Sequence, residues 1–149
     1  MQQIKNHINL RFLTDAYQPE EILGREEQIK EIRKVFENFE RMGSATNKLI
    51  QGFTGSGKTS TINYILLKQK NVIFTSGSLF KTSQMILNSI AGTNYRNKTL
   101  VLQRLIKSLK SNPQPLIIDE IHKVKDYHEL LQDLNTLFRE AYFPIIIVT

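Results

Sequence analysis

The stretch Lys48-Leu49-Ile50-Gln51-Gly52-Phe53-Thr54-Gly55-Ser56-Gly57-Lys58-Thr59 decides the fold. Lys48 to Gln51 reads as a short strand, and Gly52 to Thr59 fits G-x-x-x-x-G-K-[ST] without a gap. A helix is expected from about Lys58 to Lys68, with Ile62, Ile65 and Leu66 facing inward. A chain that wraps a phosphate must turn several backbone N–H groups toward it, and a Cβ would obstruct that turn. Gly52, Gly55 and Gly57 remove the obstruction. The helix N-terminus adds unpaired N–H groups and a partial positive charge. The Lys58 ammonium is expected to reach the β- and γ-phosphates, and the Thr59 hydroxyl to ligate magnesium. Gly52, Thr54, Gly55, Ser56, Gly57, Lys58, Thr59 and Ser60 form the expected nucleotide-binding set, with ATP and Mg²⁺ as its ligands.

A second anchor follows 61 residues after Lys58, where Leu116-Ile117-Ile118 runs into Asp119-Glu120. Three apolar residues in a row suit a strand buried on both faces. In open α/β sheets ligands bind at the carboxyl edge of the strands, and these two carboxylates stand there. Asp119 is expected to hold magnesium through its water shell, opposite Thr59. Glu120, one residue further, is expected to orient or deprotonate an attacking water. That favours hydrolysis over passive binding, and water over another acceptor.

The rest of the chain fits around these anchors. Residues 1–24 read as an N-terminal arm, and residues 25–149 as one nucleotide-binding unit. A helix begins near Arg25, with Ile29, Ile32, Val35, Phe36, Phe39 and Met42 on one stripe, and Gly43 and Ser44 end it. Asn71 to Thr75 reads as a strand, and helices are expected over 82–90 and 99–109. The second of these shows Leu102, Leu105, Ile106 and Leu109 on one face. Asp126 with Glu129 gives a capping signal for a helix to about Arg139, with Leu130, Leu131, Leu134, Leu137 and Phe138 as its buried side. Pro144 opens the run Ile145-Ile146-Ile147-Val148-Thr149, a fourth strand. Strands alternating with helices predict an α/β fold: a parallel sheet with helices on both faces. The last strand is expected to continue into further chain.

Composition narrows the class. The 149 residues carry 40% apolar and 23% charged residues, which suits a globular domain able to bury a core. There is no cysteine, which excludes disulfides and thiolate metal sites. No apolar run is long enough for a signal peptide or a membrane helix, so a soluble intracellular protein is expected. The net charge of +6 is uneven: residues 47–118 hold ten Lys and Arg and no acid. Such a one-sign field attracts phosphate, of a nucleotide or of a nucleic acid. His7, His122 and His128 have no metal-ligand spacing, and Thr75, Ser76 and Ser78 are expected in the loop into the next helix.

These features resemble the AAA+ ATPases, and among them the archaeal and eukaryotic replication initiators of the origin-recognition and cell-division-control type. The resemblance rests on the lead-in segment from Tyr17 to Ile29 (a Y-x-P element before Gly24-Arg25-Glu26), on GFTGSGKTS, on LIIDEIHK and on IIIVT, and spans about residues 11–149. It implies that Tyr17, Ile22 and Arg25 lie near the adenine and that a sensor residue follows Val148. It also implies a lid, an arginine finger and a DNA-binding domain further along, with DNA and other AAA+ subunits as partners and no membrane. A cytoplasmic, nucleoid-associated location would follow for an archaeal protein, and a nuclear one for a eukaryotic protein. Asp119-Glu120-Ile121-His122 also fits the D-E-x-H box of superfamily-2 helicases, which leaves a helicase-type motor open, and a non-hydrolysing nucleotide switch is the third reading.

Overall fold

The computed structural model describes residues 26–50 and 58–148. The chain order is α1 (Glu26–Met42), β1 (Asn47–Ile50), α2 (Lys58–Lys68), β2 (Ile73–Ser76), α3 (Ser83–Ala91), α4 (Lys98–Ser111), β3 (Leu116–Asp119), a 3-10 turn (Ile121–Lys123), α5 (Tyr127–Ala141) and β4 (Ile145–Val148). The four strands make one parallel sheet in the order β1-β4-β3-β2. The strand that ends the sequence thus lies between the strand before the glycine-rich loop and the strand before Asp119. In register, Leu116 faces Ile145 and Ile118 faces Ile147, while Ser76 faces Asp119.

Strand alternation divides the interior into two cores. Leu116, Ile118 and Ile145 point into one, which Ile86, Leu87 and Ile90 of α3, Val101, Leu105 and Leu109 of α4, and Leu130, Leu134 and Leu137 of α5 complete. Ile117, Ile146 and Val148 point into the other, filled by Ile29, Ile32 and Phe36 of α1 and by Ile62 and Ile65 of α2. Neither core exists without the sheet between them, so both helical layers depend on the apolar faces of β3 and β4.

Several expectations shift by a turn. Met42, at the end of the α1 stripe, is 70% exposed because Gly43 (φ 65°) ends the helix there, its N–H donating to the Phe39 carbonyl at 3.0 Å. On α4 Val101 is buried, and Leu102 and Ile106 only flank the core. On α5 Leu131 is largely exposed, since the stripe facing the sheet is narrower than the run of leucines. β2 begins at Ile73 and not at Asn71, whose positive φ of 60° turns the chain into the strand. Asp126 precedes α5 without capping it through its side chain, which is engaged by Ser83.

Candidate functional site

Because the strands are parallel, their carboxyl ends share one edge. β1 ends at Ile50 on that edge, and α2 begins at Lys58 as expected. The side chains of Ile50 and of Lys58 to Thr61 lie outside the described residues, as do Gly52, Thr54, Gly55, Ser56 and Gly57. So the expected phosphate contacts of Lys58, Thr59 and Ser60 are proposals, as are the expected adenine contacts of Tyr17, Ile22 and Arg25 and the expected sensor just past Val148.

The described half of the edge is built around Asp119 and Glu120. Asp119 closes β3, is 5% exposed and stands beside Ser76, the last residue of β2. Gly77 continues that pairing, its N–H donating to the Asp119 carbonyl at 2.9 Å. The approach requires glycine: a Cβ on Gly77 would run into the Glu120 carbonyl oxygen. Glu120 itself leaves the strand in the left-handed region (φ 51°, ψ 45°), a conformation uncommon for a residue with a side chain. That kink turns its carboxylate out of the sheet and starts the 3-10 turn.

Glu120 has partners at once. Lys123, one turn on, places its ammonium 3.0 Å from Oε1. Burial pushes the Glu120 carboxyl up, but the bonds from Lys123 and Ser78 and the nearby charges of Lys123 and His122 outweigh it. The group is held below its ordinary value and is ionised at neutral pH, an acceptor of hydrogen bonds. Ser78 is tied back in turn, its hydroxyl 2.8 Å from that of Ser76. The spacing of Lys123 from Glu120 was legible as a charge pair one turn apart; the role of Gly77 was not, since it depends on β2 lying beside β3. Thr75 and Ser76, expected in the loop into the next helix, are instead the last two residues of β2, and both are buried. Ser89 donates its one hydroxyl proton to the Ile86 carbonyl at 2.6 Å, so Thr75 donates to Ser89 across 2.7 Å.

A magnesium ion fits the donor chemistry of this edge. Among the described residues no three His, Cys, Asp or Glu side chains gather into a metal cage. Asp119 offers a single hard oxygen ligand at a strand end, and Mg²⁺ is held by one or two carboxylates plus water and phosphate oxygens.

Comparisons with known proteins agree with this architecture. The family model described as AAA domain matches residues 41–149. The chain is 30% identical over 144 residues to ORC1-type DNA replication protein 1 of Archaeoglobus fulgidus, covering 89% of this chain and 34% of that protein. It is 29% identical over 91 residues to ORC1-type DNA replication protein 2 of Thermoplasma acidophilum, covering 57% of this chain and 22% of that one. The solved structure of the Aeropyrum pernix ORC1 protein in complex with DNA superposes with a TM-score of 0.73 at 20% identity, covering 89% of this chain and 40% of that one. The chain therefore belongs to the AAA domain family, and its fold is that of the AAA+ P-loop NTPases. Within that family its likeness runs to the ORC1 and Cdc6 type, and it spans between 22% and 34% of the length of those ORC1-type relatives. Among the described residues no helix is long and apolar enough to cross a membrane.

Proposed function

We propose that this chain is the ATP-binding part of a DNA-replication initiator and that it hydrolyses ATP in the intact protein. The observation that carries the reading is the carboxyl edge itself: Asp119 and Glu120 leave β3 with only β4 between that strand and β1, which feeds the glycine-rich loop. Residues 1–24 would act as the arm against the adenine, through Tyr17, Ile22 and Arg25, and residues 25–149 as the nucleotide-binding subdomain. Gly52, Thr54, Gly55, Ser56, Gly57, Lys58 and Ser60 would cradle the phosphates through backbone N–H groups and the Lys58 ammonium. Thr59 and Asp119 would hold Mg²⁺, which neutralises phosphate charge when bound. Glu120, ionised and fixed, would accept a hydrogen bond from water and aim its lone pair at the γ-phosphate. DNA and further AAA+ subunits are the partners expected of the intact protein, in the cytoplasm of an archaeon or the nucleus of a eukaryote.

The test is ATP turnover by the intact protein and by Glu120→Gln. Turnover is expected to fall by about 10²-fold or more with Mg-ATP affinity within a few-fold of the parent. A parent that binds ATP without turning it over would instead select the non-hydrolysing switch. Asp119-Glu120-Ile121-His122 supports a helicase-type motor as a second reading, which ATP-dependent strand separation by the intact protein would select.

A further inference from the structure

A groove of about 340 Å³ opens between the end of α3 and the second half of α4, lined by Ala91, Thr93, Arg104, Lys107, Ser108 and Ser111. Its lining holds two cations and three hydroxyls and no carboxylate. Arg104, Lys107, Ser108 and Ser111 recur at three- and four-residue spacing, so α4 presents them on one face. The groove lies away from Asp119 and Glu120. α4 ends at Ser111 and the chain then enters β3 at Leu116, so the end of the groove lined by Ser108 and Ser111 lies toward the amino edge of the sheet.

The opposite wall is held rigidly. Asn88 of α3 binds the loop that follows it: its Oδ1 accepts from the Thr93 hydroxyl at 2.7 Å and the Tyr95 N–H at 3.0 Å, and its Nδ2 donates to the Tyr95 carbonyl at 2.9 Å. Gln84 donates to that carbonyl as well, at 2.8 Å. Tyr95, so fixed, carries the Arg104 guanidinium over its ring, 5.9 Å from the centroid. One cation is thereby oriented before any ligand arrives, which lowers the entropy lost on binding.

Two helix C-termini border the groove, and their partial negative charge opposes an anion. At each end the cap residue's N–H closes the final turn, Gly92 to the Asn88 carbonyl and Asn112 to the Ser108 carbonyl. Two full charges outweigh two partial ones.

We propose that this groove binds a phosphate group at a site separate from the nucleotide site, with Arg104 and Lys107 as its cations and the Ser108 hydroxyl as a further donor. A guanidinium matches two phosphate oxygens at once, and an ammonium beside it supplies a point charge. The phosphate belongs either to a nucleic acid backbone or to a small phosphorylated molecule. The site is independent of the function proposed above, because none of its residues belongs to the glycine-rich loop or the acidic strand end.

The experiment is amide-resolved NMR of the intact protein carrying Lys58→Ala, so that the glycine-rich loop does not compete, titrated separately with inorganic phosphate and with a short duplex DNA. Saturable shifts at Thr93, Tyr95 and Ser108 are expected with phosphate. Arg104→Ala with Lys107→Ala is expected to weaken phosphate binding by about tenfold or more, and Arg104→Lys with Lys107→Arg to retain it. Should the double alanine variant fail to fold, Tyr95→Leu keeps both charges and is expected to weaken binding severalfold. Shifts of the same amides by DNA, reversed by phosphate, assign the site to a nucleic acid backbone; shifts with phosphate alone assign it to a small molecule. No shift at the groove with either probe, or shifts that survive in the double alanine variant, would overturn the proposal. Cations that served only the helix ends would lower the melting temperature when removed and leave the anion titrations flat.

Discussion

Two groups of carboxylates lie within fifteen residues of each other in the sequence and are built in opposite ways. Asp126, Glu129 and Asp133 at the start of α5 are met by donors from two other helices. Ser83 of α3 gives Asp126 its N–H at 2.7 Å and its hydroxyl at 2.5 Å. Lys98 of α4 places its ammonium 2.8 Å from Glu129, 2.7 Å from Asp133 and 2.8 Å from the Ser83 hydroxyl. Asp119 and Glu120 instead stand at the edge of the sheet, where Glu120 takes a left-handed backbone and pairs with a lysine of its own turn. The first group ties α3, α4 and α5 together; the second holds an ionised oxygen at the mouth of a proposed nucleotide site. Identical residue types thus tie helices together in one place and stand at the proposed site of chemistry in the other, with different partners in each.

The comparison breaks most visibly if the edge pair proves inert. Asp119→Asn is expected to cut Mg-dependent ATP turnover of the intact protein by about 10²-fold or more, while Asp126→Asn leaves turnover per folded molecule within about twofold. Equal losses in the two variants would erase the distinction.

Removing the ammonium sharpens the other half. Lys98→Met leaves Glu129 and Asp133 facing each other without their cation and should cost about 2–4 kcal/mol in denaturant unfolding, less than a fully buried pair because the lysine is partly exposed. Burial opposes the charge on Lys98, but Asp133 and Glu129 outweigh it and hold the ammonium above its ordinary value. A raised folded value stabilises below the unfolded one and is lost as pH rises through it, so the contribution of Lys98 fades only in strong alkali. Asp126 runs the other way. Burial would raise it, yet the two bonds from Ser83 hold it below the ordinary carboxylate value. Its contribution is present above that value and is lost as pH falls below about 4. Unfolding midpoints measured from neutral pH downward should drop less steeply in Asp126→Asn than in the parent.

Gly77→Ala is a smaller test of the edge. Its Cβ would collide with the Glu120 carbonyl oxygen, so a loss of about 1–3 kcal/mol is expected together with reduced turnover. Leu131→Gln should change stability by about 0.5 kcal/mol or less, since that side chain already meets solvent.

Much of this architecture was legible in the sequence because it rests on local rules. The alternation of strands and helices, the start of α2 at Lys58 and the end of β3 at Asp119 follow from periodicity and spacing. What was not legible depends on which segments meet. Asp126 with Glu129 reads as a cap, but Ser83, forty-three residues earlier, claims the Asp126 side chain once α3 packs beside α5. Leu130 and Leu131 are chemically the same, and only the position of the sheet buries one and exposes the other. The left-handed turn at Glu120 has no glycine or asparagine to announce it, and it lies where Gly77, just past β2, pairs with the Asp119 carbonyl. The glycine-rich loop itself is read from its residue types, and its geometry toward Asp119 is a proposal.

The central claim is that the carboxyl edge of this sheet grips a triphosphate through the loop between β1 and α2. Calorimetric titration of Mg-ATP into the intact protein and into Lys58→Ala addresses it directly. The account predicts affinity reduced by about 10²-fold in the variant, with the fold unchanged by circular dichroism. Equal affinity in the two proteins would contradict it.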